Sequence, residues 1–264
     1  MLNLQNQEFM SIEQIRSKAP SIFTATPAEN VSDHYVHIPT NRVIEDMNLL
    51  GWNVVDVKEV KARKGIGTQK HLVVFRSNEI AIIGEDGDDV FPQILLTNSH
   101  DGKNCFSFSA GLFRMICENG LVISTQVFEN VKIRHMGYTF EELEERIKEM
   151  VSRLPLTVET LNRMKEVQME EKQIIEFAEK AINVRFGERK IKVNMEDFIV
   201  PVRIEDTKKD LWTVFNLVQE KLVSGDFDYL SEKAKLRKAR PIKNFIQDQK
   251  LNIELFDLAL EYAN

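Results

Sequence analysis

The sequence predicts an α+β protein: a mixed, largely antiparallel sheet with packed helices in the N-terminal part, followed by a mainly helical C-terminal part. Three observations carry this reading. Short runs rich in Val, Ile and Phe are separated by Gly and Asp turns between about residues 52 and 125. Beyond His135, apolar residues recur instead at helical spacing. At 264 residues with 43% hydrophobic content, the chain can bury a core without disulfide or metal staples. The expected organisation is an N-terminal arm over 1–33, a sheet-rich core over 34–155 and a helical part over 156–264.

The arm is polar and irregular, with Pro20 and Pro27, and is expected to dock on the body or on a neighbouring subunit. Thr40 is a good N-cap for a helix with Val43, Ile44, Met47 and Leu50 on one face, ended by Gly51. Asn53–Arg63 and His71–Arg76 flank the glycines at 65 and 67 and read as a hairpin. Glu79–Ile83 and Phe91–Asn98, around Asp86-Gly87, read as a second. After Asp101-Gly102, Asn104–Ser109 reads as a strand. Residues 111–118 read as a short helix stopped by Asn119-Gly120, with a strand resuming at Leu121. Thr139 with Glu142 forms a capping box ahead of Phe140, Leu143, Ile147 and Val151, and Pro155 breaks that helix. Residues 157–184 read as the longest helix, and Thr207–Val223 and Leu251–Tyr262 as two more.

Charge and cysteine content narrow the function classes. The formal net charge is −6 with 29% charged residues, so the chain is no polycation, and any anion site must be a local patch. The only cysteines, Cys105 and Cys117, have neither metal-ligand nor secreted-framework spacing and are expected as buried thiols. No signal-like leader and no run of apolar residues long enough for a membrane span appears, so the expected location is the cytoplasm of a bacterial host cell.

The run LLTNSHDGKNCFSFSAGLFRMICENGLVIST, followed by KIRHMGYTFEEL, resembles the central signature of the family catalogued as domain of unknown function 932, found in phage and plasmid proteins. Similarity begins near IPTNRVIEDMNLLGW and extends through LWTVFNLVQEKL to LNIELFDLALEYA. The resemblance implies mobile-element biology and carries no catalytic assignment. Its motif residues are Asn98, Ser99, His100, Asp101, Gly102, Arg114, Cys117, Asn119, Gly120 and His135.

Each motif has a structural and a functional reading. Asn98 to Gly102 can cap a tight turn or contact a phosphate or base. Arg114, in an apolar segment, needs a carboxylate such as Asp101, backbone carbonyls or a bound anion. Cys117, Asn119 and Gly120 fit a buried helix end with a left-handed cap. His100, His135 and Cys117 lack diagnostic zinc spacing, and the acidic run 85–89 lacks the calcium-loop pattern, so no metal and no cofactor is expected. Phosphate-binding and nucleophile-elbow motifs are absent, and no set of clustered carboxylates suggests nuclease chemistry, which leaves no catalytic residue to name.

Two basic patches remain. Lys58, Lys61, Arg63, Lys64 and Lys70 surround the first hairpin turn. Lys233, Lys235, Arg237, Lys238, Arg240 and Lys243 crowd a stretch with one acid, Glu232. Basic runs are often solvated faces, but both could also face a phosphate backbone. The helix–sheet–helix order is similar in outline to phage single-strand annealing proteins, an analogy of fold only. The expectation is a non-enzymatic protein that self-associates and binds nucleic acid, single-stranded DNA favoured, in recombination or replication, with the first hairpin as the main surface. The alternative is a protein-binding factor acting on host defence or other host proteins.

Overall fold

The structure is a computed structural model that describes residues 9–29, 31–32, 35–61, 67–77, 79–80, 90–102, 106–114, 119–122, 131–133 and 138–263. It is α+β and divides into two compact units. The first comprises Met1–Met115 with Gln126–Leu154, the second Ile116–Thr125 with Pro155–Asn264.

In the first unit, β1 (Trp52–Glu59), β2 (His71–Ser77), β3 (Val90–Asn98) and β4 (Phe106–Arg114) form an antiparallel meander. The short strand β6 (Val131–Ile133) pairs with β4 from Phe106 to Phe108. A register shift between Val54 and Asp56 bulges β1. Helices α1 (Ile12–Lys18) and α2 (Thr40–Leu49) lie against β1. The sheet face carrying Trp52, Val73, Phe75, Ile94, Leu96 and Phe108 is fully buried, as are Val43 and Met47 of α2. Helix α3 (Phe140–Ser152) is capped by Thr139, whose hydroxyl accepts from Glu142 N–H at 3.1 Å. Its last turn, with Met150 and Val151, shares a small cavity with Trp52, Pro92, Ile94 and Ala110.

The second unit holds α4 (Leu154–Glu166), α5 (Glu171–Phe186), the single turn α6 (Met195–Phe198), α7 (Leu211–Ser224) and α8 (Phe245–Tyr262), together with the strand β5 (Asn119–Val122). α7 is apolar around most of its circumference and runs through the middle of this unit, stacking Trp212 on Phe215 and setting Phe215 edge-on to Phe256 of α8. Its end turns at Gly225, in the left-handed conformation at φ 73°, and residues 240–241 pass so close that a Cβ there would lie 2.5 Å from the Arg240 carbonyl carbon. Lys221 is buried and donates to the carbonyls of Phe198 (2.7 Å) and Val200 (2.9 Å), which fixes the chain leaving α6. A two-stranded sheet, β7 (Asp228–Leu230) with β8 (Leu236–Lys238), extends from this unit.

Five sequence expectations are corrected. The N-terminal arm is not irregular throughout: it holds α1, which Ser11 and Gln14 start as a capping box. The helix expected over 111–118 is, as far as Arg114, the continuation of β4, because Phe113 and Arg114 pair with Phe91 and Val90, and cross-strand pairing overrides local helical spacing. Asn119 and Gly120 begin β5 and do not cap a helix. The single helix expected over 157–184 is two helices, interrupted where Gln168 bridges to Asp210 and Met169 N–H bonds the Lys209 carbonyl at 2.8 Å. α8, at 18 residues, is therefore the longest described helix. Finally, Thr40 is the first helical residue and Pro39 the cap, since the Thr40 hydroxyl has other partners. Residues 81–89, which include most of the strand expected over Glu79–Ile83 and its Asp86-Gly87 turn, lie outside the described residues. So do the turn residues 62–66, both cysteines and His135.

Candidate functional site

Two features of the molecule concentrate polar chemistry, one in each unit. The first is a buried network where β2 begins and β3 ends. His71 and Asn98 are directly opposed in the β2–β3 register, and both are fully enclosed. Nδ1 of His71 lies 3.0 Å from the Gln69 carbonyl, which can only accept, so Nδ1 carries the proton. Nε2 then accepts from the Thr40 hydroxyl at 2.8 Å, and Thr40 in turn accepts from Asn98 Nδ2 at 2.9 Å. Ser21 Oγ stands 2.9 Å from His71 Nδ1, and the Ser21 N–H donates to Glu59 Oε2 at 2.8 Å. Burial pushes the His71 pKa from its ordinary 6.5 down to about 4, against a smaller upward pull from the Gln69 carbonyl. At neutral pH the ring is uncharged.

The rest of the NSHDG motif continues this network. Ser99 N–H donates to Asn98 Oδ1 at 2.8 Å, and Ser99 Oγ donates to Asp101 Oδ1 at 2.6 Å. His100 packs between His71 and His37, with ring centroids 5.2 and 4.6 Å away, and its carbonyl accepts from Ala28 N–H. His37 Nε2–H donates to the Thr24 carbonyl at 3.0 Å. The distance from Thr40 Oγ1 to His71 Nε2 is one at which a base could activate a hydroxyl. Yet Thr40, His71, Asn98, Ser99 and His100 are all fully buried, so the network can act by holding the N-terminal segment on the sheet.

Arg114 stands apart from this cluster. It is buried beside Val90, at the end of β3 opposite Asn98, on the order of 25 Å away at ~3.3 Å per residue. Asp101 therefore cannot be its partner. Sequence reasoning missed Ser21, His37 and His71 and misassigned Thr40. A signal existed in HLVVF: a histidine opening an otherwise apolar strand must find hydrogen-bond partners. Among the described residues, no three His, Cys, Asp or Glu side chains are placed to hold a metal ion.

The second feature is the β7–β8 hairpin. Leu230 exchanges both backbone bonds with Lys192, at 2.9 and 2.8 Å, which adds a third segment beside β7. The hairpin turns through Glu232, Lys233 and Ala234, with Ala234 N–H donating to the Ser231 carbonyl at 2.7 Å and Ala234 left-handed at φ 52°. This is a three-residue loop, a type I turn followed by a left-handed residue. Lys233, Lys235, Arg237, Lys238 and Arg240 are all exposed, and Lys243 follows exposed. Lys238 pairs with Asp226 at 3.0 Å, which raises its pKa. Tyr229 faces Arg237 across the ladder.

On the first hairpin, Lys58 and Lys61 are exposed and Lys70 half-buried, while Arg63 and Lys64 lie outside the described residues. Gly67, in the first hairpin turn, is packed against the N-terminal segment. Thr24 Oγ1 donates to its carbonyl and lies 3.5 Å from where a Cβ would stand.

Comparison with known proteins assigns the chain to a family without adding a reaction. The family model described as "Domain of unknown function (DUF932)" matches residues 27–255. The chain belongs to this family. It is 28% identical to the UPF0380 protein YafZ of Escherichia coli (strain K12) over 249 residues, covering 94% of this chain and 89% of that one. The UPF0380 protein YfjQ of the same strain is 27% identical over the same shares. No solved structure matches. Among the described residues, no helix is long and apolar enough to cross a membrane.

Proposed function

We propose that the protein binds nucleic acid, single strands in preference to duplex, by its phosphate backbone and with little sequence preference, and that the β7–β8 hairpin is the principal surface. The observation that supports this most directly is the density of cations on one hairpin. Lys233, Lys235 and Arg237 are exposed along its tip and outer strand, and Arg240 and Lys243 continue the patch. The acids nearby, Asp226, Asp228 and Glu232, are fewer, and Asp226 is occupied by Lys238.

The ladder and the Lys192–Leu230 exchange hold these cations on a fixed frame, which lowers the entropy lost on binding. Tyr229, opposite Arg237 and half-buried with its ring 5.2 Å from that of Phe186, is the aromatic side chain beside these cations on whose exposed part an unpaired base would stack, and this favours single strands. The hairpin at Lys58, Lys61 and Lys70 is a secondary surface, because Gly67 is covered by Thr24. A role in recombination or replication is the setting this activity suits, and self-association would multiply the contacts.

The test is fluorescence anisotropy with a labelled mixed-sequence oligonucleotide over a salt series. Binding is expected at about 50 mM salt and should weaken steeply towards about 200 mM. Replacing Lys233, Lys235 and Arg237 together by Ala should reduce the salt slope by roughly 0.7 per lost contact, about 2 in all. Absence of binding at the lower salt refutes the function. An unchanged slope in this variant, with loss on replacing Lys58 and Lys61, refutes the choice of surface.

A further inference from the structure

The backbone of the same hairpin carries a feature that cation density does not explain. In an antiparallel ladder, residues alternate between pairs that exchange backbone bonds and pairs whose N–H and C=O groups point away from each other. Ala239 N–H bonds the Phe227 carbonyl at 2.9 Å and Ser231 N–H bonds the Lys235 carbonyl at 2.9 Å. This phase makes Tyr229 and Arg237 a bonded pair, and it turns the backbone groups of Leu230 away from β8, where Lys192 takes both of them. By the same alternation, the N–H and C=O groups of Leu236 and Lys238 point outward from β8. No described group bonds them. The edge is exposed along all three residues, and Leu236, at 70% exposed, stands on the face it shares with Leu230, itself 40% exposed.

Edge strands are commonly guarded by charge, and Arg237 guards this one against a second copy of itself. Two β8 strands related by a two-fold axis through their centre would set Arg237 directly against its own copy, a destabilising like-charge pair. The same charge favours a strand of opposite sign. We propose that the outer edge of β8 accepts an extended acidic segment of a partner protein as an added strand. In this arrangement the segment's backbone pairs with Leu236 and Lys238, a carboxylate meets Arg237, and an apolar side chain covers Leu236. The occupant is a peptide because a nucleic-acid strand cannot reproduce alternating N–H and C=O groups along this edge. Arg237 would serve both this partner and a phosphate, but the inference is distinguishable from phosphate binding because it also rests on the outward main-chain groups of Leu236 and Lys238, which phosphate binding does not use.

The experiment uses the full chain and a short capped, labelled peptide of alternating Glu and Val. Three comparisons accompany it: the same peptide N-methylated on the residues that would face β8, a Lys and Val counterpart, and the Leu236→Pro variant. Proline at 236 removes an outward N–H while leaving the β7–β8 ladder bonds in place. The acidic peptide is expected to bind, and at least about tenfold more weakly when N-methylated or offered to Leu236→Pro. The Lys and Val peptide should not bind. Nucleic-acid affinity of Leu236→Pro should be unchanged, which separates this inference from the proposed function. No binding of the acidic peptide, or equal affinity for its N-methylated form, overturns the proposal. The N-methylated peptide decides the matter if Leu236→Pro fails to fold, and displacement of the acidic peptide by the oligonucleotide with no effect of N-methylation would show attraction by charge alone.

Discussion

Replacing Gly225 by Ala should be among the most damaging single-methyl changes in the second unit. Gly225 ends α7 at φ 73°, with its N–H on the Lys221 carbonyl at 2.9 Å. A left-handed alanine costs about 1–2 kcal/mol on its own. The added Cβ would also lie 2.5 Å from the Arg240 carbonyl carbon and 2.8 Å from the Pro241 nitrogen, both backbone atoms that cannot rotate away. Residues 240–242 would have to shift, and they carry two bonds: Arg185 Nη2 to the Arg240 carbonyl, and Ile242 N–H to the Val223 carbonyl at 3.0 Å. Losing a charge-assisted and a neutral bond adds about 2–4 kcal/mol. The expected total is roughly 3–6 kcal/mol. Urea unfolding followed by circular dichroism measures it, with Gly51→Ala as the control. That glycine also has positive φ, at 82°, but nothing within 4 Å of its Cβ position, so strain alone is expected there. Equal losses in the two variants would show that the approach of residues 240–241 does not constrain the fold.

The other expected outcomes rest on particular contacts. Because the folded His71 pKa is about 4 against 6.5 in the open chain, the unfolded state binds the extra proton as pH falls through this window, so stability should drop by about 3 kcal/mol between pH 6.5 and 4 and be flat above it for this residue. His71→Gln should flatten that part of the pH profile, and an unaltered profile would assign the loss to other groups. Thr40→Val keeps the shape but leaves His71 Nε2 and Asn98 Nδ2 without their hydroxyl, at a cost of about 2–4 kcal/mol by urea unfolding; a neutral result would show that water replaces it. Ala234→Gly relieves a left-handed alanine at the hairpin turn and should leave global stability within about 1 kcal/mol of the parent while raising amide protection on β7 and β8.

The α+β class, α2, α3 and the strands at 52–59, 71–77 and 90–98 are legible from spacing and turn residues, because each is amphipathic or bounded by Gly and Asp. The element at 106–114 is legible only in its first half. Its second half, Gly111 to Arg114, takes its conformation from pairing with Val90 to Gln93, and no local pattern records that pairing. The β7–β8 hairpin reads as a bare charge run because its turn uses Ala234, which gives no glycine signal. Of the candidate sites, the NSHDG residues stand out as a motif. Their partners Ser21, His37, Thr40 and His71 come from distant parts of the chain, and only folding brings them together.

The buried network also bears on how the sheet finds its alignment. All seven residues of β2 and all nine of β3 are buried, so neither strand has a wet face, and the usual alternation of apolar and polar side chains cannot tell one register from the next. A slip of one residue between them would bury apolar groups almost as well. It would also part His71 from Asn98 and send the two to opposite faces, so that Thr40 could reach only one of them. The polar cluster therefore serves as an alignment mark at one end of the two strands, as buried Arg76 opposite Gln93 does towards the other: together they make one pairing far better satisfied than its neighbours, and the cluster cannot be read until the N-terminal segment has closed over it.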